Sequence, residues 1–205
     1  MTPVGSRTAL VVVDAQRVFT EPGQPWAAPA FAATVEPVRS LAAAHPGRTL
    51  FTRFLAPAEP RGAWQAYYDE WPFALQPADA PLWEVVPALA DLVERPTVDA
   101  TTFGKWDALV PRLATMADEG GEAPVPVERV VLCGVSTDCC VLSTALAAAE
   151  SGVEVVVAAD ACAGASDADH ERALDAMRLY APLIRVTTTA AVLDGVTAEA
   201  AAARS

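Results

Sequence analysis

The feature that most constrains this chain is the run Thr8–Val13 (TALVVV), which is apolar from its second residue onward. A half-exposed strand or a surface helix would interrupt such a run with polar positions, whereas a strand covered on both faces would not. Comparable runs recur at Arg48–Phe54 (RTLFTRF), Arg129–Leu132 (RVVL), Val153–Ala158 (VEVVVA) and Ile184–Thr187 (IRVT). Thr97–Val98, preceded by Pro96, is a shorter candidate. Between them lie helical patterns at Phe31–Ala44, Trp106–Ala117, Cys139–Ser151 and Asp167–Tyr180. The third follows Thr137 and Asp138, residues that cap, and stops at Gly152; the fourth opens on Ser166 and Asp167 and stops before Pro182. Strand alternating with helix predicts an α/β fold: a doubly wound, mostly parallel six-stranded sheet with helices on both faces.

A chain of 205 residues forms one domain by default, so residues 1–205 are expected to be a single domain. Its 14 basic and 26 acidic side chains give a formal net charge of −12. Such a chain repels a phosphate backbone or an anionic bilayer surface, so neither nucleic acid nor membrane is expected as a partner. The Ala9–Val13 run is too short for a signal sequence or a span, and no stretch reaches about 18 uncharged apolar residues. The expected location is cytoplasmic, with Cys133, Cys139, Cys140 and Cys162 as reduced thiols.

The segment from Ala56 to Pro96 breaks the alternation. It holds seven prolines, together with Trp64, Tyr67, Tyr68, Trp71, Phe73 and Trp83. Long excursions of this kind commonly serve as lids or pocket walls, and short helices are expected within it. Gly120–Pro126 reads as an exposed loop and Thr197–Ser205 as a fraying tail.

Open parallel sheets carry their sites at the carboxyl ends of strands. Three reactive residues fall at or near such ends: Asp14 after the first run, Lys105 after the short Thr97–Val98 strand and its loop, and Cys140 after RVVL at the start of a helix. A thiol in a first helical turn meets unpaired N–H groups and the positive end of the macrodipole, which favour the thiolate. The same N–H groups can hold an oxyanion. A carboxylate can take the thiol proton and a lysine can stabilise the charges, so Asp14, Lys105 and Cys140 would make an acyl-transfer site. The alternatives are ordinary ones: a turn carboxylate, an exposed lysine and a packed thiol. Cys133, Cys139 and Cys162 read as packed thiols, Asp138 as a residue that caps the helix or orients the loop, and Asp160 as a carboxylate fixing a loop.

The stretch VVLCGVSTDCCVLSTALAAAESGVEVVVAADAC resembles the signature of the isochorismatase-like, nicotinamidase-related cysteine hydrolases, of the form G-x-x-T-D-x-C-V, helix, strand, D-A. VVVDAQRVF resembles that family's opening strand, and TTFGKWDA its lysine element. The resemblance implies a strand order 3-2-1-4-5-6, with Asp14 as base, Lys105 as catalytic lysine and Cys140 as nucleophile. It also implies a cis peptide between Val135 and Ser136, with the Ser136 and Cys140 amides as the oxyanion hole, and a homodimer or homotetramer. The expected activity is hydrolysis of a C–N bond in a small amide, carbamoyl or ureido compound through a thioester. Vinyl-ether hydrolysis of the isochorismatase type, which does not need the cysteine, and a non-catalytic or redox-sensing role are the competing readings.

Metal-binding relatives carry an Asp-x-His pair and further histidines after the second strand. The corresponding stretch here, TRFLAPAEPRGAWQAYYDEW, has no histidine, and only His45 and His170 occur in the chain. No metal and no other cofactor is therefore expected, and His170 reads as a helix-terminus residue. Gln16, Phe19, Trp26, Arg53, Trp64 and Tyr68 are candidate substrate-pocket residues. Against that, Trp64, Tyr67, Tyr68 and Trp71 have the spacing of a core-packed helical stripe, and Arg53, which could grip a substrate carboxylate, could equally pair with an acidic neighbour.

Overall fold

The computed structural model describes residues 7–116 and 124–202, and the side chains among them up to residue 197. Part of the Gly120–Pro126 loop, Ala117 at the end of one expected helix, and the last residues of the tail lie outside the described residues. The sheet has six strands: β1 (Thr8–Val13), β2 (Thr49–Phe54), β3 (Val98–Ala100), β4 (Arg129–Val135), β5 (Glu154–Ala163) and β6 (Ile184–Thr187). Their spatial order is β3-β2-β1-β4-β5-β6, and every pairing is parallel. β1 lies centrally and is buried at all six positions, as its uninterrupted apolar run requires.

The helices are α1 (Arg17–Thr20), α2 (Phe31–Ala44), α3 (Ala63–Glu70), α4 (Pro87–Ala90), α5 (Trp106–Ala114), α6 (Leu142–Glu150), α7 (Asp167–Arg178) and α8 (Thr189–Ala202). The chain winds outward from β1 to β3, then crosses back to β4 and winds outward to β6. Right-handed crossovers therefore place α2 on one face and α5, α6 and α7 on the other. α8 returns to pack beside α2. No helix among the described residues is long and apolar enough to cross a membrane.

Several elements depart from the sequence reading; β5, expected over Val153–Ala158, runs on to Ala163, so Asp160 lies within the strand and not in a loop. The helix expected over Cys139–Ser151 begins instead as a π turn, Thr137–Val141, before α6 takes over at Leu142. α8 extends well before the expected tail; Asp160 receives both the amide (2.6 Å) and the hydroxyl (2.9 Å) of Thr189, anchoring its first turn to β5.

The strand order reverses between β1 and β4, the place where open parallel sheets carry their sites. Val13 of β1 is in register with Gly134 of β4. Gly134 has φ +109°, and a Cβ there would lie 2.1 Å from the Val13 oxygen. Only glycine permits this approach, which brings the residues after both strands together.

Candidate active site

Asp14 leaves β1 at φ 45°, the left-handed region that asparagine and aspartate tolerate best among residues with a side chain. Thr52 of β2 fixes it there. Its hydroxyl accepts from the Asp14 amide (3.1 Å) and donates to Asp14 Oδ1 (2.6 Å). The other carboxylate oxygen, Oδ2, lies 2.9 Å from Lys105 Nζ, and both side chains are fully buried. Lys105 Nζ also donates to the carbonyls of Thr102 (2.6 Å) and Phe103 (2.9 Å). The ammonium thus donates to two carbonyls and is paired in charge with the carboxylate, and it sits 5.1 Å from the centroid of the Phe54 ring. A buried ion pair is a poor stabiliser compared with apolar packing, so its presence at the strand ends points to chemistry.

Cys140 reaches the pair from the π turn after β4 and is 3 % exposed. Thr144, one turn on, donates to the Cys140 carbonyl (2.6 Å) and accepts from the Lys105 amide (3.0 Å). One hydroxyl therefore clips the turn of Cys140 to the loop of Lys105. The peptide between Val135 and Ser136 is cis, as the family resemblance implies. Asp138 links this loop to its neighbour, accepting from the Ser136 hydroxyl and from the Ala165 amide (2.9 Å). His170 of α7 braces it through Thr137 Oγ1 at 2.8 Å from Nδ1.

The sequence position of Cys140 predicts a stabilised thiolate, and its surroundings reverse that sign. Burial raises the thiol's pKa well above the ordinary value, and the Asp14 carboxylate, as a neighbouring charge and as hydrogen-bond acceptor, raises it further; Lys105 opposes this. These surroundings favour the proton on sulfur. Cys139 is half-buried, and burial with the Asp138 charge lifts its thiol to about 11.

The six candidate pocket residues divide. The Gln16 amide group is wholly engaged with backbone, donating to the carbonyls of Phe54 (3.0 Å) and Trp83 (2.9 Å) and accepting from the Phe54 amide (2.7 Å). It ties the end of β1 to the proline-rich segment and offers nothing to a ligand. Arg53 forms a two-pronged pair with Asp99 of β3 (2.9 and 2.6 Å), so its guanidinium is not a free carboxylate clamp. The aromatic candidates join one assembly. Phe19 stacks on Trp26 at 5.8 Å, Trp26 meets Tyr67 at 5.8 Å, and Trp64 lies 5.0 Å from Phe103 and 6.2 Å from Tyr68.

Sequence reasoning missed Thr52, Thr144 and Phe103. One available signal was Lys105 itself, the only lysine in the chain. Thr144, four residues after Cys140 and so on the same helical face, was another.

A doubly wound parallel sheet with carboxylate, lysine and buried thiol converging at its carboxyl edge defines an α/β protein with a candidate site at that edge. Residues 8–191 match the Isochorismatase domain, and the chain belongs to that family of isochorismatase-like hydrolases. Isochorismatase domain-containing protein 2 of Xenopus laevis is 44% identical over 52 residues, 25% of each chain. The matches to curated relatives span between a quarter and less than half of those proteins' lengths. A cysteine hydrolase from Pseudomonas syringae pv. phaseolicola 1448A has the same fold, with a TM-score of 0.80, 24% identity and 97% of both chains covered. A pyrazinamidase of Pyrococcus horikoshii, solved in complex with zinc, superposes with a TM-score of 0.64 at 25% identity, covering 89% of this chain and 99% of that one.

The donor set here does not fit a zinc ion. After β2 come Leu55, Ala56, Pro57 and Ala58, none of which offers a side-chain ligand, and no group of three histidine, cysteine or acidic side chains among the described residues could hold a metal.

Proposed function

We propose that this protein is a cysteine-dependent hydrolase that cleaves a C–N bond of a small amide, carbamoyl or ureido compound through a thioester. The observation that carries the reading is the buried convergence of Asp14, Lys105 and Cys140, with the thiol set against the carboxylate. The names of the pyrazinamidase and the cysteine hydrolase of like fold support the same chemistry.

As the Cys140 sulfur bonds to the substrate carbonyl carbon, its proton passes to Asp14. The carbonyl electron pair moves to oxygen, which the Ser136 and Cys140 amides hold. The C–N bond then breaks, and the departing nitrogen takes the proton from Asp14. Water, losing a proton to Asp14, attacks the thioester; the acid leaves and the sulfur regains its proton. Lys105 moderates each change of charge on Asp14 and Cys140 without moving. The high resting pKa of the thiol suits this scheme, because the proton leaves only as the S–C bond forms.

Ammonia release from a panel of small amides, carbamoyl compounds and ureides, wild type beside Cys140→Ala, tests the reading. Turnover in the wild type, loss in the variant, and a substrate-derived acyl adduct on Cys140 after acid quench are expected. Turnover that survives in Cys140→Ala would overturn it.

A further inference from the structure

Thr52 lies within β2, is fully buried, and directs both bonds of its hydroxyl to Asp14. A hydroxyl has one hydrogen to give and lone pairs to accept with. By accepting from the Asp14 amide at 3.1 Å it meets a backbone group left over where β1 ends. Any acceptor would serve that need. The donation to Oδ1 at 2.6 Å is a separate matter, because it fixes the carboxylate and not the backbone.

The two oxygens of Asp14 are therefore unlike. Oδ1 holds the hydrogen of Thr52. Oδ2 is buried, receives no hydrogen bond among the described residues, and lies 2.9 Å from Lys105 Nζ. The hydrogen bonds of that ammonium go instead to the carbonyls of Thr102 and Phe103. A buried oxygen without a donor is costly, so it is retained where a donor arrives during use. Cys140 is tied to this pair by geometry: Thr144 joins its carbonyl (2.6 Å) to the Lys105 amide (3.0 Å). Its thiol also feels Asp14 as a charge and as a hydrogen-bond acceptor.

Resting on the hydrolase reading above, we propose that Thr52 is a positioning residue that selects the base: by holding Oδ1 it leaves Oδ2 as the oxygen that takes the Cys140 proton. The proton leaves sulfur as the S–C bond forms, resides on Oδ2, and passes from there to the leaving group. A carboxylate free to turn would meet the thiol in fewer productive arrangements. A hydrogen bond to a carboxylate also favours its charged form, so the hydroxyl acts on the pH at which the base works as well as on its aim.

The test compares wild type with Thr52→Val, Thr52→Ser and Thr144→Val, using p-nitrophenyl acetate as acyl donor. In this reaction the Cys140 sulfur bonds to the acetyl carbon, the ester C–O bond breaks, and the proton ends on the departing phenolate or in solvent. The rate of p-nitrophenolate release is followed from about pH 4 to pH 9, and mass spectrometry locates the acetyl group. Thr52→Val is expected to lower the plateau about tenfold or more and to move the acid limb upward by roughly half a pH unit or more. Thr52→Ala, with the same shift expected, replaces it if the valine variant does not fold. Thr52→Ser restores the hydroxyl and should bring back both plateau and limb. Thr144→Val removes an equally buried hydroxyl that bonds only the Cys140 carbonyl and the Lys105 amide, so it should lower the rate and leave the limb in place. A limb unmoved by loss of the Thr52 hydroxyl, moved equally by Thr144→Val, or not restored by serine would overturn the proposal; ammonia release from amides would still uphold the hydrolase reading. The expected pattern with no ammonia released from any amide would support the proposal and count against the hydrolase reading alone. Failure of wild-type Cys140 to be acylated would overturn both.

Discussion

Replacing Gly134 by alanine tests the packing that builds the site. Two costs are expected. The first is conformational: φ of +109° is foreign to a residue with a Cβ, a cost of about 1–2 kcal/mol. The second is steric. The new Cβ would stand 2.1 Å from the Val13 oxygen, 2.7 Å from its nitrogen and 2.9 Å from its carbonyl carbon. These are backbone atoms of the central strand, so no side chain can swing aside, and β1 or β4 must retreat by more than 1 Å. Overpacking of this kind costs a further 1–3 kcal/mol, roughly, and gives about 2–5 kcal/mol in total. Gly152 supplies the control. It has φ +91°, but nothing lies within 4 Å of a Cβ placed there, so Gly152→Ala bears only the conformational cost of about 1–2 kcal/mol. Urea unfolding of both variants beside wild type measures the difference. Because the strain moves Val13, the residue before Asp14, Gly134→Ala should also lose most turnover while Gly152→Ala keeps it. Equal destabilisation by the two substitutions would refute the reasoning, since the close approach would then contribute nothing.

Three further outcomes are expected. Asp14→Asn removes the charge that holds the Cys140 proton, so iodoacetamide should label Cys140 faster at pH 8 than in wild type although turnover is lost; Lys105→Met should slow labelling, and the opposite order would exclude the assigned electrostatics. Above about pH 9 the protein should lose stability, because Cys162 and Tyr68 are both held up to about 12 and stay protonated when folded, whereas their unfolded counterparts ionise near 8.5 and 10. The unfolded chain then binds fewer protons, so stability falls with rising pH; a urea midpoint unchanged from pH 8 to pH 11 would contradict this. Gln16→Leu should cost roughly 2–4 kcal/mol by stranding the buried Phe54 and Trp83 backbone groups, with the loss seen in thermal or urea unfolding.

How much of this protein is legible without its tertiary structure depends on whether a feature is periodic or convergent. The strands were readable because burial on both faces demands unbroken apolar runs, and Thr8–Val13 and Ile184–Thr187 begin and end where the pattern says. The right-handed crossover makes the alternation of strand and helix into a doubly wound sheet. Asp14, Lys105 and Cys140 were candidates because each follows a strand, and strand ends gather at one edge. What the sequence could not supply was the sign of local electrostatics: the position of Cys140 after a strand argues for a thiolate, but burial beside Asp14 keeps the proton on sulfur. Nor could it decide between rival partners of one side chain. Arg53 was equally suited to a substrate carboxylate and to an acidic neighbour, and only the β2–β3 register, which pairs it with Asp99, chose. Thr52 and Thr144 carry no motif; they hold Asp14, Cys140 and Lys105 in place because the fold sets them 38, 4 and 39 residues away at hydrogen-bonding distance. Local periodicity and chain order are properties of neighbours in sequence, whereas pKa, pairing and positioning depend on which distant atoms come within a few ångströms.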